Sequence, residues 1–156
     1  MIRINIIASI LSFFVGLGGL AGGLGAILNP YNPMGISVET LKKGPFTSFL
    51  IPGIVLFLVI GIGNIVAGII IFAKKLHYYE YLSGVMGVIM IGWITIQCII
   101  LEDVNYLHII FFGIGIIQGF LALILLYQKN MFPMNIVHTL INKKRSLDNR
   151  KNILSR

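Results

Sequence analysis

Apolar residues run along this chain in four blocks, cut apart by short polar or charged stretches. The blocks fall at residues 4–28, 53–73, 81–101 and 106–127. A helix rises about 1.5 Å per residue, so about 20 apolar residues cross a hydrocarbon core of roughly 30 Å. Four such helices predict an all-α, four-helix transmembrane bundle over residues 1–128, followed by a basic tail at 129–156.

The second block starts irregularly. Residues 46–73 are apolar almost throughout, and a helix of that length reaches roughly 42 Å, more than one perpendicular span needs. Pro52 removes a hydrogen bond and clashes with the carbonyl of Ser48. Two readings stay open. Residues 45–51 form a short interfacial or re-entrant turn, opened by Pro45, with Pro52 in the first turn of a span at 53–73. Alternatively one long helix tilts and kinks. Residues 29–52 then make the longer outer loop, in which Pro30, Pro33 and Gly35 exclude a regular helix.

The first block follows Arg3 and resembles a signal peptide, but it exceeds the usual h-region of roughly 7–15 residues, and we read it as an uncleaved span. Its glycines pair at four-residue spacing, Gly18 with Gly22 and Gly19 with Gly23, as do Gly115 and Gly119 in the fourth block. Small residues on one helix face let another backbone approach closely. Packing inside the bundle is the simplest use of these faces; contact with a second copy, a larger membrane partner or a lipid is the alternative. Gly16-Leu17-Gly18 is no nucleotide loop, because no strand precedes it.

Charge then sets the orientation. With the N-terminus inside, the cytoplasmic segments carry Arg3, Lys74, Lys75, Lys129, Lys143, Lys144, Arg145, Arg150, Lys151 and Arg156, against Lys42 and Lys43 outside. Ten against two places both termini in the cytoplasm. Met134, Val137, Leu140 and Ile141 share one face of a short helix with basic residues after it, a pattern suited to the inner leaflet and its anionic headgroups. The net charge of +7 therefore points to membrane lipids and not to nucleic acid. Only 11% of residues are charged, against roughly 25% in soluble domains. The lone Cys98 excludes an intrachain disulfide.

Polar side chains at membrane depth need a partner or a purpose. Asn64 lies about 16 Å below the outer edge, near the midplane, and Gln118 falls at a similar depth, so the two amides form a candidate pair across the bundle. Trp93, Thr95 and Gln97 on the third span, with Glu102 and His108 near the third connection, are candidates to line an outward-facing cleft. A carboxylate and an imidazole that converge can do acid–base work. No catalytic motif or metal-ligand spacing supports an enzyme, and the sequence calls for no cofactor.

The run Gly44-Pro45-Phe46, then Phe49-Leu50-Ile51-Pro52-Gly53, then Trp93-Ile94 and Gln97 resembles a group of small bacterial four-span membrane proteins with no assigned activity. The resemblance covers the four spans and not the basic tail. It implies a multi-pass protein of the bacterial plasma membrane and transfers no catalytic residue. The expectation is a non-enzymatic component that binds a partner or lipid. The alternatives are a carrier for a small amphiphile through the outward cleft, and an enzyme built on Glu102 and His108.

Overall fold

The computed structural model describes residues 2–41, 44–74 and 77–154, and the side chains of residues 3–41, 44–74 and 77–147. Lys42, Lys43, Lys75 and Arg156, which entered the charge count, lie outside the described residues, as do the side chains of Arg150 and Lys151. Among the described residues every regular element is helical. Four helices are long and apolar enough to cross a membrane: α1 (Ile2–Leu28), α2 (Leu50–Ala73), α3 (Glu80–Leu101) and α4 (Tyr106–Gln128). A fifth helix, α5 (Met134–Leu154), follows. An even number of crossings puts both termini at one end of the bundle, here the terminal end; the opposite, loop end carries residues 29–49.

Residues 44–49 are bends rather than helix, and α2 opens at Leu50, ahead of the expected residue 53. Pro52 sits in its first turn, where a missing N–H leaves no bond unmade. The helix then widens into a π-helical stretch, Leu56–Ile62, before resuming α geometry at Gly63. Left-handed residues close α2 and α3: Lys74 at φ 51° and Glu102 at φ 49°. Asn105 caps α4, and the His108 ring accepts the Asn105 backbone N–H at 3.1 Å.

Glycines decide which helices meet closely. A Cβ added at Gly19 would stand 2.7 Å from the Gly61 nitrogen, and one at Gly23 would stand 2.6 Å from the Phe57 nitrogen. No side chain fits at either place, so α1 and α2 touch backbone to backbone. The α3–α4 contact is built in the same way. A Cβ at Gly87 would lie 2.6 Å from the Gly115 oxygen and 2.9 Å from the Gly119 nitrogen. The densest packing is therefore within two antiparallel hairpins, α1–α2 and α3–α4, while the hairpins meet each other more loosely. The Gly19/Gly23 face, which the sequence leaves open to a second copy or a partner, is filled by the chain's own α2. Gly18 and Gly22 face differently, with Phe111 and Leu56 side-chain atoms each 3.2 Å from where a Cβ would be.

Between the hairpins, Val15, Ile60, Met90 and Ile94 form a fully packed apolar layer, flanked by Phe111 and Ile114 of α4. Replacing Gly23 by Leu is expected to force α1 from α2 and destabilise the bundle by about 1–3 kcal/mol, the usual cost of overpacking. Gly113→Ala, at a position with nothing within 4 Å of the new methyl, is expected to lose nothing. Thermal unfolding in detergent, followed by far-ultraviolet circular dichroism, separates the two.

Candidate functional site

One turn toward the terminal end from the apolar layer, the axis of the bundle turns polar. Gln118 of α4 donates from Nε2 to Asn64 Oδ1 of α2 at 2.9 Å and to Ser12 Oγ of α1 at 3.4 Å. Asn64 in turn donates to the Ile60 carbonyl at 2.9 Å, and Ser83 of α3 donates to the Gln118 carbonyl at 3.0 Å. All four crossing helices thus contribute, and Ser12, Asn64, Ser83 and Gln118 are completely buried. The depth count placed Asn64 and Gln118 at one level, and the structure puts their amides in contact. The two serines escaped that count because serine is neutral enough to pass inside an apolar run.

The polar lining continues to the terminal end. Ser9 and Asn5 follow Ser12 along one face of α1 at helical spacing, and both are buried. Asn5 Nδ2 donates to the Tyr79 hydroxyl at 3.2 Å, across the two hairpins. Glu80, the first residue of α3, is also fully buried and forms an ion pair with Lys129, just past α4. The Lys129 ammonium lies over the Tyr79 ring, 4.6 Å from its centroid. Neither Tyr79 nor Glu80 stands out in the sequence, where both fall in the short polar and aromatic stretch between the second and third apolar blocks. The signal that was available is the spacing Asn5, Ser9, Ser12, a polar stripe inside an apolar span.

Toward the loop end from the apolar layer, the hairpins part around a cavity of about 470 Å³. Val15, Ile60, Met90 and Ile94 form its floor, and Gly18, Gly19 and Gly22 leave room along the α1 wall. Loop residues Met34, Ile36 and Phe49 contribute apolar surface nearer the mouth. The polar groups on the lining are few: Thr40, Gln97, Asp103, Asn105 and His108. Of these, Thr40, Asp103 and Asn105 are exposed at the rim. The indole N–H of Trp93, whose ring also borders the cavity, has no acceptor among the described residues.

Of the five side chains expected at this cleft, the cavity brings together Trp93, Gln97 and His108. Thr95 and Glu102 are corrections. Two positions along a helix turn it by about 200°, so Thr95 stands on the far side from Trp93, where its hydroxyl bonds back to the Ile91 carbonyl at 2.8 Å. Glu102 is the left-handed residue that ends α3, and Asp103, next along the turn, takes its place on the lining. The acid–base pair Glu102–His108 therefore does not share the cavity. His108 Nδ1 is already an acceptor for the Asn105 N–H, which leaves Nε2 to carry the ring proton and serve as a donor. Such a ring binds a ligand oxygen more readily than it removes a proton. Among the described residues no three His, Cys, Asp or Glu side chains come together to hold a metal ion.

The chain matches no protein-family model, no curated protein and no solved structure. The site has to be read from its own chemistry.

Glu80 raises the pKa of Lys129 above its ordinary 10.5, chiefly through their hydrogen bond and against the opposing effect of burial. A raised lysine pKa stabilises the folded state fully below that ordinary value and stops doing so as pH rises through the higher folded value. Wild-type protein is therefore expected to lose thermal stability above about pH 10.5 in a step that Lys129→Met lacks. At neutral pH, Lys129→Met leaves a buried carboxylate without its cation and is expected to melt lower than the Glu80→Gln, Lys129→Met double variant. Melting curves between pH 7 and 12 check both.

Proposed function

We propose that the protein is a non-catalytic, multi-pass component of a bacterial plasma membrane that holds the apolar tail of an amphiphile in its loop-end cavity. One observation carries this reading. The hairpins are zipped along their own glycine seams and yet stand apart at the loop end, leaving about 470 Å³ with an apolar floor and a sparse polar rim. That volume lies within the roughly 300–1,000 Å³ of small-molecule sites. In a bilayer, the most abundant molecules with an apolar body and a polar end are lipids. Gln97, Asp103 and the His108 donor lie where the polar end would rest.

The orientation follows from the lysine and arginine distribution: both termini in the cytoplasm and the cavity toward the outside. α5 then lies along the inner leaflet. Ile136, Val137, Leu140 and Ile141 are exposed in the folded chain, and the basic run Lys143, Lys144 and Arg145 follows them toward anionic headgroups. Residues 44–49 form the irregular start of the second span, at the outer surface. The pattern of Gly44-Pro45-Phe46, the Phe49–Gly53 run and Trp93 with Gln97, which resembles that of uncharacterised small four-span bacterial proteins, supports this reading.

Trp93 is the single tryptophan and borders the cavity, which makes it the natural probe. Phospholipid brominated on the acyl chain, added to the detergent-solubilised protein, is expected to quench Trp93 fluorescence. Gly22→Leu, which fills the cavity from α1, is expected to reduce that quenching. Equal quenching in both proteins means that the bromines reach Trp93 only from the surrounding lipid, and the reading is then wrong.

A further inference from the structure

The cavity explains the loop half of the bundle axis but not the other half. Beyond the floor of Val15, Ile60, Met90 and Ile94, a bundle in lipid needs only apolar side chains to close. Here, beside an apolar cluster of Ala8, Ile71 and Tyr79, buried polar side chains continue to the terminal end: Ser12, Asn64 and Gln118, then Ser9 and Ser83, then Asn5 and Glu80, each 2% exposed or less. Buried polar groups facing a bundle interior in a membrane are costly and mark pathways.

Resting on the amphiphile reading of the cavity, we propose that this column is a closed passage for the headgroup of the lipid whose tail the cavity holds. The protein would then carry lipids with hydrogen-bond-donating headgroups from one leaflet to the other.

The chemistry of the column selects the headgroup. Asn5 Oδ1, Glu80 Oε2 and Gln118 Oε1 are buried and accept no hydrogen bond from any described residue, and the buried Ser9 hydroxyl neither donates to nor accepts from one. A column with spare acceptors is satisfied by a ligand that brings donors. The ammonium of an ethanolamine headgroup and the hydroxyls of a glycerol headgroup bring them. A choline headgroup, whose nitrogen carries only methyl groups, does not. Lys129 neutralises Glu80 from the terminal end, so the passage presents no bare negative charge to the phosphate of a zwitterionic ethanolamine or an anionic glycerol headgroup.

The packing shows where such a passage opens. The glycine seams hold each hairpin together, and the contacts between hairpins are the looser ones. Among the described residues, the side-chain bonds that join the membrane-crossing helices of one hairpin to the other include Gln118 to Asn64, Gln118 to Ser12, and Asn5 to Tyr79. These three break and reform as a headgroup moves, while the Glu80–Lys129 pair, which lies within one hairpin and its exit, persists. Movement of hairpin against hairpin about a site on the axis is the way bundles expose one ligand to two sides in turn.

The test uses the full chain in phosphatidylcholine vesicles. Each preparation contains a trace of phosphatidylethanolamine, phosphatidylglycerol or phosphatidylcholine with an acyl-chain nitrobenzoxadiazole label. Dithionite added outside bleaches only label that reaches the outer leaflet. The ethanolamine and glycerol lipids are expected to bleach to completion about tenfold faster than the choline lipid, the value of one buried hydrogen bond. Ser9→Val, which narrows the column without touching the cavity, is expected to slow transfer to the protein-free rate and leave Trp93 quenching intact. Ser9→Ala, which keeps the width and removes one acceptor, is expected to slow the ethanolamine lipid and not the choline lipid.

Transfer no faster than in protein-free vesicles, with Trp93 still quenched, overturns the passage and leaves the cavity reading standing; loss of both removes both. Equal rates for the three headgroups, or no slowing in either Ser9 variant, likewise overturn the passage.

Discussion

Hydrocarbon supplies no hydrogen bonds, and that fact governs the middle of this molecule. Gln118 has to find its partners inside the protein, and it finds one on α2 and one on α1. Each such bond between membrane helices contributes only about 0.6 kcal/mol on average, because a misplaced amide finds some other partner. What the layer does is fix register. With Asn64, Gln118 and Ser12 at one level, Val15 of α1 and Ile60 of α2 fall one turn toward the loop end, where Met90 and Ile94 of α3 complete the apolar layer. The cavity floor lies where it does for that reason.

Stability and register therefore have different sources. Close backbone approach along Gly19–Gly61, Gly23–Phe57 and Gly87–Gly115 gives dispersion contacts over a long seam. The hairpin-to-hairpin interface has fewer contacts and more polar ones. That division gives the axis two characters: apolar and open at one end, polar and closed at the other. The Glu80–Lys129 pair fits the same scheme, since a carboxylate buried at the first turn of α3 is tolerable only with a cation in reach. The next residues of the chain after α4 supply it.

Much of this was legible in the sequence. Four apolar blocks of spanning length gave four helices within a few residues of their ends, and counting depth brought Asn64 level with Gln118. Helical phase would also have excluded Thr95 from the face of Trp93, since its position relative to Trp93 is fixed by the number of residues between them. Three features were not legible. An acid at the edge of an apolar run, as Glu80 is, normally faces water, and its partner lies far along the chain at Lys129. The small residues at 18, 19, 22 and 23 do not say which of them will meet a backbone and which will border a void. Nor does the chain announce the left-handed turn at Glu102, just past the expected end of α3, which exchanges Glu102 for Asp103 on the cavity wall.

The two glycine seams also bear on how the chain is made. Within each hairpin the helices are consecutive, and each hairpin completes its own backbone bonding and its tightest packing without the other. The first pair can thus be laterally released into lipid while the second is still on the ribosome. Docking then requires only that a few side chains meet at the right height, so biogenesis is divided at the turn around Lys74.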